Sequence, residues 1–384
     1  MYREALIFNP QNDLALASGG SNYVAPPFAL QLAHDLAVLP AFIAEPGSLL
    51  ITDSEDDARW LEHLDQTFGL DVNAIKRNQL RHLSNYRIMP WGWSLDLRRR
   101  LIKWGASSES LPTNDEIYHL SGLSHRRLTV VIHMRLQELL GRKLCPIPVE
   151  LAVPDDVMDY VNLHRKCYIK TPWSSSGRGI YHTTAGPTPE LRQWCSGALK
   201  RQGSVLCEVA LDKVMDLAVE FHCEASKATV RGFSVFETDS HSQYQHGIVA
   251  PTATLKARIT ELYPKFDEVV SAVSQAMNEI VAPHYTGWFG VDMLLYKDSQ
   301  GIAINPCVEL NLRPTMGAIT SVLGDRILAP GKTATFRIET RSSNTAPWTQ
   351  LQEAVIGNGR LTSGALQLTT PSSSAIHRAI LACD

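Results

Sequence analysis

INPCVELNLRPTMG, residues 304–317, decides how this 384-residue chain is read. Its alternation of polar and apolar residues is that of a strand, in which successive side chains face opposite ways. Glu309, Asn311 and Arg313 then share one face, while Leu310 and Leu312 turn to a core. Upstream, GWFGVDMLLY (287–296) is an apolar run interrupted by one carboxylate, Asp292, and Asp298-Ser299-Gln300-Gly301 between the two runs is turn chemistry. Folded as a hairpin, the runs bring Asp292 opposite Glu309 or within a residue or two of it.

Two carboxylates and an amide oxygen on adjacent strands are hard donors of the kind that hold Mg²⁺, and Arg313 adds a cation aimed at the same place. The same spacing fits an edge hairpin whose carboxylates are solvated or paired with Arg313. The rest of the chain has to decide between the two.

Length points to two or three domains, and an apolar content of 44% is that of an ordinary globular protein. A formal net charge of −3 supplies no basic field, so neither nucleic acid nor an acidic membrane surface is expected as a partner. The seven cysteines are scattered, with no CxxC pair, which fits buried thiols in a reducing compartment and not a zinc site. No apolar run reaches about eighteen residues, and the N-terminus lacks the pattern of a leader. The expectation is a soluble, cytoplasmic protein.

From the N-terminus, 4–8 reads as a short strand running into Asn9-Pro10-Gln11-Asn12-Asp13 and a helix-prone segment. An α/β unit opens this way, with its loop at the carboxyl end of a strand, where ligands bind. No GxGxxG follows, so a dinucleotide fingerprint is absent. Residues 26–39 read as an amphipathic helix, 48–53 as a strand, 55–68 as a helix capped by Ser54, and 86–90 as a third strand. Trp91-Gly92-Trp93 after it either lines a pocket mouth or simply packs. The expected unit is a small α/β domain with a parallel sheet over 1–118.

From 121 the texture changes. Ser124-His125-Arg126-Arg127 opens a predicted helix through Leu140, and CYIKTPWSSSGRGI (167–180) follows, a strand ending in Lys170 beside a loop of three serines and two glycines. Small residues let backbone N–H groups approach phosphate oxygens, with the ammonium and hydroxyls completing a cradle; the same composition also makes a flexible polar hairpin. Lysine precedes the glycines, so this is not a Walker A loop. SVLCEVA (204–210) is a further strand, followed by a bend at 211–213 and strands over 216–224 and 229–236. His241 and His246 sit in a polar loop without a third metal ligand. A helix over 264–280 leads into the Asp292 run. The tail, 326–384, has strand texture at 333–338, 365–369 and 375–382.

A phosphate loop with a preceding lysine, a bend after SVLCE, a helix, a DMLL strand and an ELNLRP strand, in that order, resemble the ATP-grasp superfamily over about 119–325. The part before it resembles the α/β domain that precedes the ATP-grasp unit. The fold class expected is therefore α/β, turning to α+β in the second half, with ATP-grasp subdomains at 119–200 and 201–325 and a β-rich extension at 326–384. The resemblance implies ATP and Mg²⁺ as cofactors. By it, Arg126 and Lys170 contact ATP phosphates, and Ser174, Ser175, Ser176, Gly177 and Gly179 belong to the loop that closes over them. Glu208 and the backbone of Val209, Ala210 and Leu211 meet the adenine, and Asp216 the ribose. Asp292, Glu309 and Asn311 are the metal ligands, and Arg313 stabilises the transferring phosphoryl group. Two departures stand out. Arg126 replaces a common lysine, and Asn305-Pro306-Cys307 lengthens the hairpin, where proline can force a bulge and shift Glu309.

The implied reaction activates a carboxylate as an acylphosphate for attack by an amine or other nucleophile, releasing ADP and phosphate. The alternatives are a kinase of the same fold acting on a small molecule, and a nucleotide-binding regulatory protein without turnover. Partners are then small-molecule acids and amines, with Asn9, Asn12, Asp13, Trp93, Tyr244 and His246 as candidates for the substrate wall.

Overall fold

The structure, a computed structural model, describes residues 3–83, 85–174, 179–239 and 242–383. Four short apolar strands, β1 (Arg3–Ile7), β2 (Ser48–Ile51), β3 (Val72–Ile75) and β4 (Tyr86–Pro90), form a parallel sheet in the order β3-β2-β1-β4. The helix Glu55–Phe68 begins where Ser54 Oγ accepts from the Asp57 N–H at 3.2 Å, carries three acidic residues in its first turn, and stops at left-handed Gly69. Two features differ from the sequence reading. β3 is a strand that the sequence reading did not include, its four-residue VNAI being short and interrupted by Asn73, and the helix expected over 26–39 spans Pro27–Asp35, with Leu39–Ile43 a buried 3₁₀ turn around Pro40. Strand order reverses between β1 and β4, which opens a crevice at their carboxyl ends.

β5 (Val149–Leu151), β6 (Cys167–Lys170), β7 (Ile180–Thr183) and β8 (Val205–Val209) make a small antiparallel sheet in the order β5-β8-β6-β7. It packs on the helices Pro154–His164 and Pro189–Gln202 around Val157, Ile169, Leu191 and Cys207, a core of its own.

The third sheet is the largest: β9 (Asp212–Glu224), β10 (Lys227–Thr238), β11 (Tyr244–Val249), β12 (Gly287–Asp298), β13 (Gly301–Asn311), β14 (Ala334–Thr340), β15 (Val355–Gly357), β16 (Arg360–Gln367) and β17 (His377–Cys383), in the order β13-β12-β9-β10-β11-β14-β17-β16-β15. Phe221, Phe233 and Phe289 bury it against the helices Leu128–Leu140, Thr252–Leu262 and Phe266–Ile280. Elsewhere the helix Met316–Val322 contributes Ala318 and Ile319 to a core shared by Phe42 and Leu50 near the first sheet and by Phe336, Leu361 and Leu381 of the tail. The tail strands thus extend the sheet that contains the β12–β13 hairpin and also hold the first domain. Trp60 Nε1 donates to Leu368 O at 3.3 Å, Thr370 Oγ1 to Asp57 at 2.6 Å, and the Ile376 and His377 N–H groups to Asp35 at 2.8 and 3.0 Å.

Two boundaries matter for the site. The helix expected from Ser124 begins at Leu128, because Ser124 closes the preceding helix Asn114–Leu123 by donating from Oγ to Leu120 O at 2.9 Å. Arg126 therefore lies in a turn between helices. The bend expected at 211–213 is shorter, since β9 starts at Asp212; Ala210 and Leu211 alone carry the chain from the small sheet to the large one. All seven cysteines are buried free thiols, and among the described residues no helix is long and apolar enough to cross a membrane.

Candidate functional site

Asp292 and Glu309 are direct partners in the antiparallel register of β12 and β13. The bulge anticipated from Pro306 is present: between the pairs Asp292↔Glu309 and Leu294↔Asn305, Met293 alone faces Pro306, Cys307 and Val308. Two extra residues leave the alternation of faces intact, so Glu309 stays on the side of Asp292. Asn305 Oδ1 accepts from the Cys307 N–H at 3.1 Å and His133 Nε2 donates to Cys307 O at 2.9 Å, which pins the bulge. Asn311 Nδ2 donates to Asp292 Oδ2 at 3.0 Å.

Negative charge here is in excess. Burial pushes the Asp292 carboxyl up to about 8, and Glu309 and Glu220 push the same way. Glu220, on β9, is fully buried; it accepts from Thr315 Oγ1 at 2.8 Å and Ser234 Oγ at 3.1 Å, and burial raises it to about 7. Sequence reasoning missed it. The signal was the one used for Asp292, a single carboxylate inside an apolar strand. Among the described residues no group of three or more His, Cys, Asp or Glu side chains gathers as a metal cluster, so the donor set offered is the facing carboxylate pair with the Asn311 amide.

Three buried or half-buried cations belong to this part of the structure, and one of them, Arg126, meets Glu309 directly. Arg126, 5% exposed, donates from Nη2 to Glu309 Oε1 at 2.8 Å and from Nη1 to Thr171 O at 2.6 Å and Ser174 Oγ at 2.8 Å. One guanidinium thus ties the serine loop to the carboxylate hairpin. Lys170, buried at the end of β6, pairs with Glu208 of the neighbouring β8, so Glu208 is a partner of the lysine and not a free acceptor. Arg313 lies with Nε and Nη2 each 3.0 Å from Asp13 Oδ2. Burial works against its charge, but Asp13, helped by Glu309 and Asp292, more than offsets this and holds it protonated.

The loop is closed at its base by the Thr171 N–H donating to Gly179 O at 2.8 Å, and a side chain at Gly179 would overlap Thr171 and Ser174. Ser175, Ser176 and Gly177 lie outside the described residues. Val209, Ala210 and Leu211 form the passage between sheets, with the Ala210 N–H donating to Lys166 O at 3.0 Å. Asp216 accepts from Thr238 Oγ1 at 2.9 Å and from Lys213 Nζ at 2.8 Å.

Of the substrate-wall candidates, Asn9 and Asn12 brace the crevice between β1 and β4. Asn9 donates to Gly92 O at 2.8 Å and accepts from its N–H at 3.2 Å, and the Asn12 amide donates to Trp93 O and Gly92 O at 3.0 and 3.1 Å. Trp93 lines a cavity of about 30 Å³ with Asn12, Trp288, Leu312 and Pro314, next to the Asp13–Arg313 pair. Tyr244 sits elsewhere. It packs against the core with its hydroxyl buried and unpartnered among the described residues, since the alternation of β11 turns it inward. The segment read as a polar loop is the strand β11, and this turns the Tyr244 ring to the core instead of a substrate wall. His246, beyond a register shift that pairs it with Glu237 and Tyr244 with Thr238, lies 3.8 Å from Glu237.

No protein-family model matches the chain, and no curated protein matches it either. Solved structures do match in three dimensions. Biotin carboxylase from Campylobacter jejuni, solved as a β,γ-ATP complex, superposes with a TM-score of 0.53 at 10% identity, covering 100% of this chain and 88% of that one. N5-carboxyaminoimidazole synthetase from Staphylococcus aureus, complexed with ADP, gives 0.50 at 13% identity over 100% and 93%. The chain has an ATP-grasp fold. The biotin carboxylase domain of Hydrogenobacter thermophilus 2-oxoglutarate carboxylase, solved with MgADP, ADP and bicarbonate, matches at 0.50 and 12% identity over 88% and 86%. In this ATP-grasp fold Arg126 is the link between the small sheet, through Thr171, and the large sheet, through Glu309.

Proposed function

We propose that the chain is an ATP-dependent ligase that activates a small carboxylate as an acylphosphate for attack by an amine or other nucleophile, using Mg²⁺. The observation that carries this reading is the Arg126 bridge, because it places the serine loop and the Asp292–Glu309 pair around one guanidinium whose buried Nε has no partner among the described residues. A buried donor without an acceptor fits an anion brought between the sheets. Two facing carboxylates, one pushed to about 8, fit a divalent cation, which Asp292, Glu309 and Asn311 would hold. When bound, that cation screens phosphate oxygens as charge moves between them.

The chain's own residues do the remainder. Attack of a carboxylate oxygen on the γ-phosphorus gathers negative charge, and Lys170, Arg126 and Arg313 are preorganised cations that offset it. Small residues at the loop base let backbone N–H groups approach the phosphates, and closure of the loop shields the acylphosphate from water. Asp13 positions Arg313. In this reading 1–118 supplies substrate-facing loops, 119–200 the phosphate loop, 201–325 the metal residues, and 326–384 the extension that clamps the first domain to the sheet.

Calorimetric binding and thermal stability with a nonhydrolysable ATP analogue, with and without Mg²⁺, on the wild type and Glu309→Ala, test it. Binding that requires Mg²⁺ and weakens in the variant is the expected result. Screening acids and amines for ADP release then identifies the reaction. Absence of nucleotide binding under all conditions would overturn the reading.

A further inference from the structure

The carboxyl ends of β1 and β2 carry a second cavity, which shares Asn9 with the substrate-wall candidates and is otherwise built from residues to which the reading above gives no role. It encloses about 440 Å³ and is walled by Gln11, Thr52, Asp53, Arg77, Arg100 and Trp104. An adjoining groove of about 700 Å³ shares Asp53, Arg77 and Trp104 and has Arg81 and Lys103 on its rim. Volumes of this order are those of small-molecule sites.

The cavity wall carries Arg77 and Arg100 together with Asp53 and Asp57, and the adjoining groove adds Lys76, Arg81 and Lys103. Both Arg77 and Arg100 lie over the Trp104 ring, with Cζ 4.7 and 5.3 Å from its centroid. Guanidiniums stacked on one indole leave their N–H edges available while their charges repel. The acidic neighbours are already engaged. Asp57 accepts from the Thr52 and Thr370 hydroxyls, both at 2.6 Å, and Asp53 accepts from the Arg77 N–H at 3.0 Å and lies 3.4 Å from Arg77 Nη1. Asp96 is shared between Arg99 and Arg100 at 3.3 and 3.2 Å. One atom lining the cavity lacks a partner among the described residues: Oε1 of Gln11, a residue only 7% exposed. A buried amide oxygen with no donor is a group that a ligand hydroxyl would satisfy.

We propose that this crevice is a separate binding site for a small anion, phosphate or carboxylate, that also carries a hydroxyl: the anionic group meets Arg77 and Arg100, and the hydroxyl donates to Gln11. Every wall residue falls within the first 105 positions, so the site stands whether or not the nucleotide reading does.

The test is titration calorimetry on the full chain with glycerol 3-phosphate, glycerate and inorganic phosphate, repeated with a nonhydrolysable ATP analogue present. Saturable binding of at least one hydroxylated probe is expected, unaffected in stoichiometry by the analogue. Arg77→Gln and Arg100→Gln each weaken it about ten-fold to a hundred-fold, the scale of a lost charge-assisted hydrogen bond. Gln11→Leu weakens the hydroxylated probes and leaves inorganic phosphate unchanged. Thermal midpoints without ligand establish that each variant is folded, and either arginine variant alone suffices for the reading. No saturable binding of any probe, or binding indifferent to the arginine changes, overturns the proposal.

Discussion

Asp13, in the first turn of the first helix, and Arg313, just past the end of β13, form an ion pair between residues three hundred positions apart, with Arg313 Nε 3.0 Å from Asp13 Oδ2. Neither side chain is more than about a fifth exposed, at 16% and 21%. Asp13→Ala leaves the guanidinium among Glu309 and Asp292 but without its nearest counter-charge, and is expected to cost about 3 kcal/mol in urea unfolding. Asp13→Asn, which keeps an acceptor, loses less. Equal losses in the two variants would contradict a charge-based pairing.

Arg126 serves three acceptors with one planar group, which a lysine ammonium on a flexible stem does not reproduce. Arg126→Lys is predicted to weaken binding of an ATP analogue by about ten-fold or more while changing the thermal midpoint less than Arg126→Leu does. Calorimetry and melting curves on the same samples separate the two effects.

Gly317 and Gly122 give a matched pair. A Cβ at Gly317 would overlap the carboxylate of Glu220 and the Ser234 side chain, so Gly317→Ala is expected to destabilise by about 3 kcal/mol. Nothing lies within 4 Å of a Cβ built at Gly122, inside the helix Asn114–Leu123, and there alanine is expected to stabilise by up to about 1 kcal/mol. Denaturant midpoints read both directly.

Burial holds the His133 and His125 imidazoles down to about 4, from an ordinary value of 6.5. Between those limits the unfolded chain binds protons at these two histidines that the folded chain refuses, so their own contribution to stability rises with pH across the window and is lost as pH drops from 6.5 to 4, while the raised Asp292 and Glu220 carboxyls contribute in the opposite sense. Each histidine accounts for roughly 3 kcal/mol of that loss. His133→Gln, which cannot take the proton, is expected to remove the His133 share, so that the variant loses less stability than the wild type between pH 6.5 and 4. Urea unfolding at several pH values checks it, and an unchanged slope would mean that His133 titrates normally.

The carboxylate hairpin was legible because its information is local: period-two alternation, one turn, and two runs short enough to pair side by side. The Ser54 cap and the helix after it were legible for the same reason. What sequence did not carry is long-range. Arg126 meets Glu309 across 183 positions and Asp13 meets Arg313 across 300, and neither pairing leaves a trace in spacing. Glu208 and Lys170 were both singled out, yet as separate ligand contacts, because the sheet order that sets β6 beside β8 is not written in either strand. Tyr244 was misplaced because its polar segment reads as a loop, and only pairing with β10 and β14 makes it a strand.

The small sheet keeps a hydrophobic core that shares no residue with those of the other two, whereas the first sheet and the large one are fused through a common core and sewn together by the tail. Cooperativity should follow that division. Amide protons of β6 and β8 belong to a unit that opens at a free energy of its own and exchange with deuterium ahead of β9 and β12. Since Arg126 reaches from a turn beside Pro172 to Glu309, such an opening pulls on the carboxylate hairpin, and local breathing of the smaller unit is registered at the Asp292–Glu309 pair of the larger one.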